Sequence, residues 1–138
     1  MIKAQLCLLT LLVFALSAGA YAAAPAGEPD LILILPDQVP LEVRGSPPLP
    51  AKKLSSVTLR VTQGGASPWQ PIAFDAEMPA HKHGMVVAPS SPRALTEAGL
   101  YEVLGVKLHM VGAWEVKVKV KHAKSGEEQW INRSLLVK

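Results

Sequence analysis

The chain has 138 residues, 14 Lys and Arg against 11 Asp and Glu, a formal net charge of +3 and a single cysteine. That length suits one domain. Its lysines alternate with valines rather than cluster, which argues against a nucleic-acid binder. With one cysteine the chain can form no internal disulfide and no multi-cysteine zinc site, so its stability has to come from an apolar core.

The N-terminus reads as a secretory signal. Lys3 supplies a positive charge, Leu6–Leu16 is an apolar run, and small residues at Ala18, Ala20, Ala22 and Ala24 offer A-x-A cleavage patterns. The run is shorter than the ~20 residues a spanning helix needs. Residues 1–23 are therefore expected to leave on export, with cleavage between Ala20 and Ala24. The product is expected to be periplasmic or secreted, with no stable transmembrane segment. Cys7 would leave with the signal, so no lipid-anchored cysteine is expected. The 49% hydrophobic content is inflated by this segment.

Residues 24–53 form a proline-rich lead-in. Leu31–Leu35 fits a short strand stopped by Pro36, and Leu41–Arg44 fits a short edge strand among five prolines. From 54 to 138 the pattern has period two. Val57, Leu59 and Val61 share a face opposite Thr58, Arg60 and Thr62, and the G-G-A-S turn starts at Gly64. Ile72, Phe74, Ala76 and Met78 then point inward, with Asp75 and Glu77 outward. Tyr101 and Val103 begin another strand, whose apolar phase shifts at Gly105 to Val106 and Leu108, the mark of a bulge or a new strand. Trp114, Val116, Val118 and Val120 alternate cleanly with Glu115, Lys117, Lys119 and Lys121. His122–Glu128 turns the chain, and Gln129–Lys138 returns as the last strand. Ser91–Gly99 holds at most one helical turn. These elements predict an all-β, immunoglobulin-like antiparallel sandwich of about seven strands, with 31–53 adding edge strands and Trp114 anchoring the core.

Chemistry concentrates in "MPAHKHGM", residues 78–85, and in the later pair His109 and Met110. On a strand, His81, His83 and Met85 at i, i+2 and i+4 would share a face. A return strand could bring His109 or Met110 beside them. Imidazole with thioether favours copper, above all Cu(I), over zinc, and there is no acidic cluster for calcium. Protonated imidazole cannot bind, so affinity should fall in acid. A plainer reading stands beside this one. Met78 and Met110 continue apolar faces, His109 shares an outward face with Lys107, and His122 belongs to an exposed hairpin turn. No G-x-S-x-G, thiol nucleophile or paired carboxylate suggests an enzyme. Asn132 starts an N-x-S glycosylation pattern, which carries weight only in a eukaryotic secretory route.

"AEMPAHKHGM" followed by "GLYEVLGVKLHMVGAWEVKVKV" resembles the bacterial YtkA-like, or FixH-like, domain. The shared features are M-P-x-H-x-H-G-M at Met78–Met85, G-x-Y-x-V-x-G at Gly99–Gly105, and M-x-G-x-W-E at Met110–Glu115. Val111 stands where the family commonly has proline. The likeness covers about residues 54–121. It implies an exported immunoglobulin-like sandwich, some of whose relatives are linked to copper handling or oxidase assembly. Two functions follow as expectations. One is copper binding or trafficking through His81, His83, Met85, His109 and Met110, with an envelope protein partner. The other is a non-catalytic accessory module of a respiratory or envelope complex with no metal site.

Overall fold

The computed structural model describes residues 27–62 and 66–138. The expected signal segment and the two glycines of the G-G-A-S turn lie outside them. In chain order the strands are β1 (Leu31–Ile34), β2 (Pro40–Ser46), β3 (Ser55–Val61), β4 (Trp69–Met78), β5 (His83–Gly84), β6 (Arg93–Ala94), β7 (Leu100–Val106), β8 (Gly112–His122) and β9 (Glu128–Val137), with one 3-10 turn at Leu49–Ala51. Among the described residues seven strands have four or more residues, and β5 and β6 have two each. No helix there is long and apolar enough to cross a membrane.

Two antiparallel sheets make the expected sandwich. One runs β1-β2-β3-β7-β6 and the other β5-β4-β8-β9. Val57, Leu59 and Val61 of β3 and Trp114, Val116, Val118 and Val120 of β8 are buried in one core cluster. Side chains of a strand alternate between faces, so these runs each lend one apolar face to the interior. Each fully buried Val or Leu contributes about 1.5–3 kcal/mol of transfer free energy.

Two local expectations need correction. Leu41–Arg44 is not an edge: β2 lies between β1 and β3, paired along both sides. The prolines permit this because Pro40 opens the strand and Pro47, Pro48 and Pro50 follow it, so none removes a donor from its middle. In β4 the inward phase breaks. Trp69 and Pro71 are buried, Ile72 is only half-buried, and burial resumes at Phe74. The register against β8 shifts between Pro71 and Ala73, so Ile72 sits in a bulge. Among the described residues β5 pairs with β4 only at Glu77 and Met78, so Pro71 sits at a sheet edge beside a bulge, where proline is tolerated in sheets. Ser91–Gly99, read as holding at most one helical turn, has no helix and contains β6 and turns. The phase shift at Gly105, read as a bulge or a new strand, is a bulge. Ser55 pairs with Val106 and Val57 with Val103, and Gly105 takes a φ of 79°.

One end of the sandwich gathers the segments that matter next. Met78, the end of β4, pairs with His83 of β5. Gly112, the start of β8, pairs with Val137. The end of β7 pairs with the start of β3. Lys107–Val111 joins the two sheets across this end.

Candidate metal centre

The His/Met segment begins as a tight turn. His81 N donates to the Met78 carbonyl at 3.1 Å, and Lys82 adopts a left-handed φ of 51°. The chain then doubles back, pairing Met78 with His83 and Glu77 with Gly84. His81 therefore lies in the turn and not on the strand with His83, and the expected i, i+2, i+4 face is not formed. The turn still brings the imidazoles together, with ring centroids of His81 and His83 5.8 Å apart.

His109 arrives from the other sheet. Leu108 before it is fully buried and pins the Lys107–Val111 connection to the core. The His109 ring lies 5.7 Å from that of His83. The three imidazoles thus form a row, His81–His83–His109, drawn from two chain segments. Two imidazoles that bind one ion at about 2.0–2.1 Å per nitrogen have centroids about 5–6 Å apart, so each neighbouring pair has the right spacing. Among the described residues, however, no three His, Cys, Asp or Glu side chains are placed to hold one ion together.

Trp114 forms the wall behind the row. It is fully buried, and its ring meets His83 at 6.2 Å and His109 at 5.4 Å, both edge-on. Its Nε1 donates to the Met110 carbonyl at 2.9 Å and so holds the connection that carries His109. The sequence marked Trp114 as a core anchor but did not show this contact, because a period-two pattern is silent about what crosses between sheets.

The polar bonding of the row is incomplete. The His109 Nδ1 is buried and has no hydrogen-bond partner among the described residues. His83 Nδ1 lies 3.2 Å from the Gly84 carbonyl. His109 is half-buried rather than sharing a solvated face with the exposed Lys107. The thioethers are less engaged. Met85 is half-buried and packs against the core, Met110 is 37% exposed, and Met78 is buried. A hollow of about 380 Å³ lined by Glu77, Met78, Pro79, Lys82, His83 and Gly84 opens beside the row. A smaller one of about 170 Å³ lies against His109, with Leu54, Val86, Val87, Gly105 and Lys107 around it.

His122 is separate and structural. Its Nδ1 accepts from the backbone N–H groups of Lys124 and Ser125 at 3.3 and 3.1 Å, and its ring meets Trp69 edge-on at 5.1 Å. It is half-buried, not the freely exposed turn residue expected from sequence. Compared with known proteins, the chain matches no family model, no curated protein and no solved structure.

Proposed function

We propose that this chain is an exported β-sandwich that binds copper at the imidazole row, with His83 and His109 as the principal ligands, His81 beside them, and Met85 and Met110 as the neighbouring thioethers. The observation that carries the reading is the buried Nδ1 of His109, unpartnered among the described residues, in a row with two further imidazoles. A buried polar atom left without a partner costs about 1–3 kcal/mol, and such atoms in native proteins call for an explanation. A cation held by the row supplies one. The donor set favours copper, because imidazole with thioether suits it and the described residues offer no thiolate. The resemblance to YtkA-like domains and the signal-like N-terminus agree with copper handling outside the cytoplasm.

The accessory-module reading has one observation of its own. Leu54, Val86, Val87 and Val111 are each at least 60% exposed at or near the same end of the sandwich. Contiguous exposed apolar side chains mark contact surfaces in soluble proteins.

Titration of the purified protein with Cu(I) against a chromophoric chelator, and separately with Cu(II), tests the proposal. The wild type binds copper. The double change His81→Ala with His83→Ala abolishes binding while circular dichroism stays unchanged, since His81 is exposed and His83 only half-buried. If that variant binds like the wild type, or if neither binds above background, the accessory-module reading replaces the metal reading.

A further inference from the structure

We infer that the end of the sandwich carrying the histidine row docks on an anionic lipid surface, its aliphatic side chains entering the leaflet and its lysines meeting the headgroups. The inference gives an occupant to the exposed apolar end. It stands apart from the copper reading and does not fall with it.

Three connecting segments bring the apolar side chains to this end. Leu54 precedes β3, Val86 and Val87 follow β5, and Val111 precedes β8. Leu54, Val86 and Val87 line one hollow together with Lys107 and His109, so the segments adjoin. Each is held from behind. Ser55 Oγ donates to the Pro47 and Lys53 carbonyls at 2.6 and 3.3 Å, Met85 packs against the core, and Leu108 is fully buried. Val86 and Val87 are 78% and 68% exposed on a backbone already fixed in place, so docking has little left to order.

The free charges around this end have one sign. Lys52 and Lys53 precede Leu54, Lys82 lies in the turn before His83, and Lys107 borders the hollow; all four are exposed. Among the described residues none of them forms an ion pair. Glu77, the carboxylate that lines the hollow beside His83, is already paired with Lys117 at 3.0 Å. Such a rim attracts a negative surface and repels another copy of itself. An anionic membrane fits it better than an acidic protein does. Lysine is depleted in protein interfaces, whereas its apolar stem lets the ammonium reach headgroups from the edge of an immersed patch. The area agrees. Leu54, Val86, Val87 and Val111 leave on the order of 400 Å² of apolar surface in water, about half the ~800 Å² each partner gives a standard protein interface. A lipid surface sets no such minimum. Each immersed methylene strengthens attachment about fourfold, and each lysine near an anionic leaflet about fivefold.

Cosedimentation with extruded vesicles tests the inference. The purified protein is mixed with vesicles of phosphatidylcholine alone, or of equal parts phosphatidylcholine and phosphatidylglycerol. Salt is raised from about 0.1 M to about 1 M, which shortens the Debye length from about 10 to 3 Å. The expected result is binding to the anionic vesicles at low salt, and binding at least about tenfold weaker on neutral vesicles or at high salt. Val86→Ser with Val87→Ser, and Lys82→Gln with Lys107→Gln, each weaken it by at least about tenfold. Lys121→Gln with Lys124→Gln removes the same charge from the hairpin at the other end of β8 and leaves binding unchanged. All variants share one N-terminal segment, so their differences report on the apolar end alone. Absence of binding to the anionic vesicles overturns the inference and returns this end to a protein partner. Equal binding to neutral vesicles, binding that both changes at the apolar end leave intact, or equal loss from the lysine changes at either end also overturns it. None of these outcomes bears on the copper titration, which leaves the two readings separable.

Discussion

Trp114 is fully buried, bonds through Nε1 to the Met110 carbonyl and meets the rings of His83 and His109 edge-on. It therefore couples the core to the candidate site. Trp114→Ala removes the largest fully buried side chain and is expected to cost about 3–5 kcal/mol, the usual range for aromatic core truncation. Total stabilities are about 5–15 kcal/mol, so the variant should be marginal. Urea denaturation checks this, and an unchanged midpoint would contradict the packing described. The residue types of the site were legible in the sequence: His81, His83 and His109 do come together. The assignment of Met85 to the same face was not, because it assumed a continuous strand from 81 to 85. Pro79 and the left-handed Lys82 make a turn there instead, and β5 has only two residues.

At the scale of elements, β3 and β8 follow their period-two patterns residue for residue, because each buries one face against the opposite sheet. The departures occur where the backbone absorbs an extra residue. Gly105 announced its bulge through the phase change that follows it. The bulge at Ile72 gave no such signal, since Ile72 and Phe74 keep the apolar alternation that the backbone breaks. Two glycines separate conformation from packing. Gly105 has a φ of 79°, and a Cβ there would meet nothing nearer than the Pro89 Cα at 4.0 Å. Gly112 has a φ of 132°, and its Cβ would come within 2.6 Å of the Met78 Cε, which is buried. Gly105→Ala is expected to cost about 1–2 kcal/mol from backbone conformation alone. Gly112→Ala adds to its own backbone strain the cost of moving the flexible Cε end of Met78 off its rotamer, about 0.5–1.5 kcal/mol. Thermal melts of the two variants should rank in that order, and the reverse order would contradict the account of Met78.

For the whole molecule, the charges lie mainly on the outer faces and contribute little individually. On the outer face of β8, Lys117 reaches Glu77 at 3.0 Å and Asp75 at 3.6 Å. Burial pulls the Lys117 ammonium down, but the hydrogen bond and charge of Glu77, with the charge of Asp75, outweigh it and hold the group above its ordinary value. Burial likewise pushes the Tyr101 phenol up from its ordinary value of 10.0. Both groups keep their protons to higher pH in the folded chain than in the unfolded one. The unfolded state then binds fewer protons as pH rises through the ordinary values of 10.0 and 10.5, so stability falls with increasing pH in that range. The contribution is fully present below about pH 10 and lost as pH passes the raised values. Denaturant midpoints at pH 8 and pH 11 should show the loss, and Tyr101→Phe with Lys117→Met should reduce it. The Lys117 pairs are partly exposed, so their removal at neutral pH should cost less than about 1 kcal/mol.

The central claim concerns His83 and His109, and the four histidines of the chain provide their own control. Imidazole ¹H–¹⁵N spectra of the purified, ¹⁵N-labelled protein, recorded as Cu(I) is added, read each ring separately. The account predicts shifts at His83 and His109, a smaller response at His81, and none at His122, whose Nδ1 is engaged by the hairpin backbone at the other end of β8. Spectra in which no histidine responds, or in which His122 moves with the rest, would contradict it.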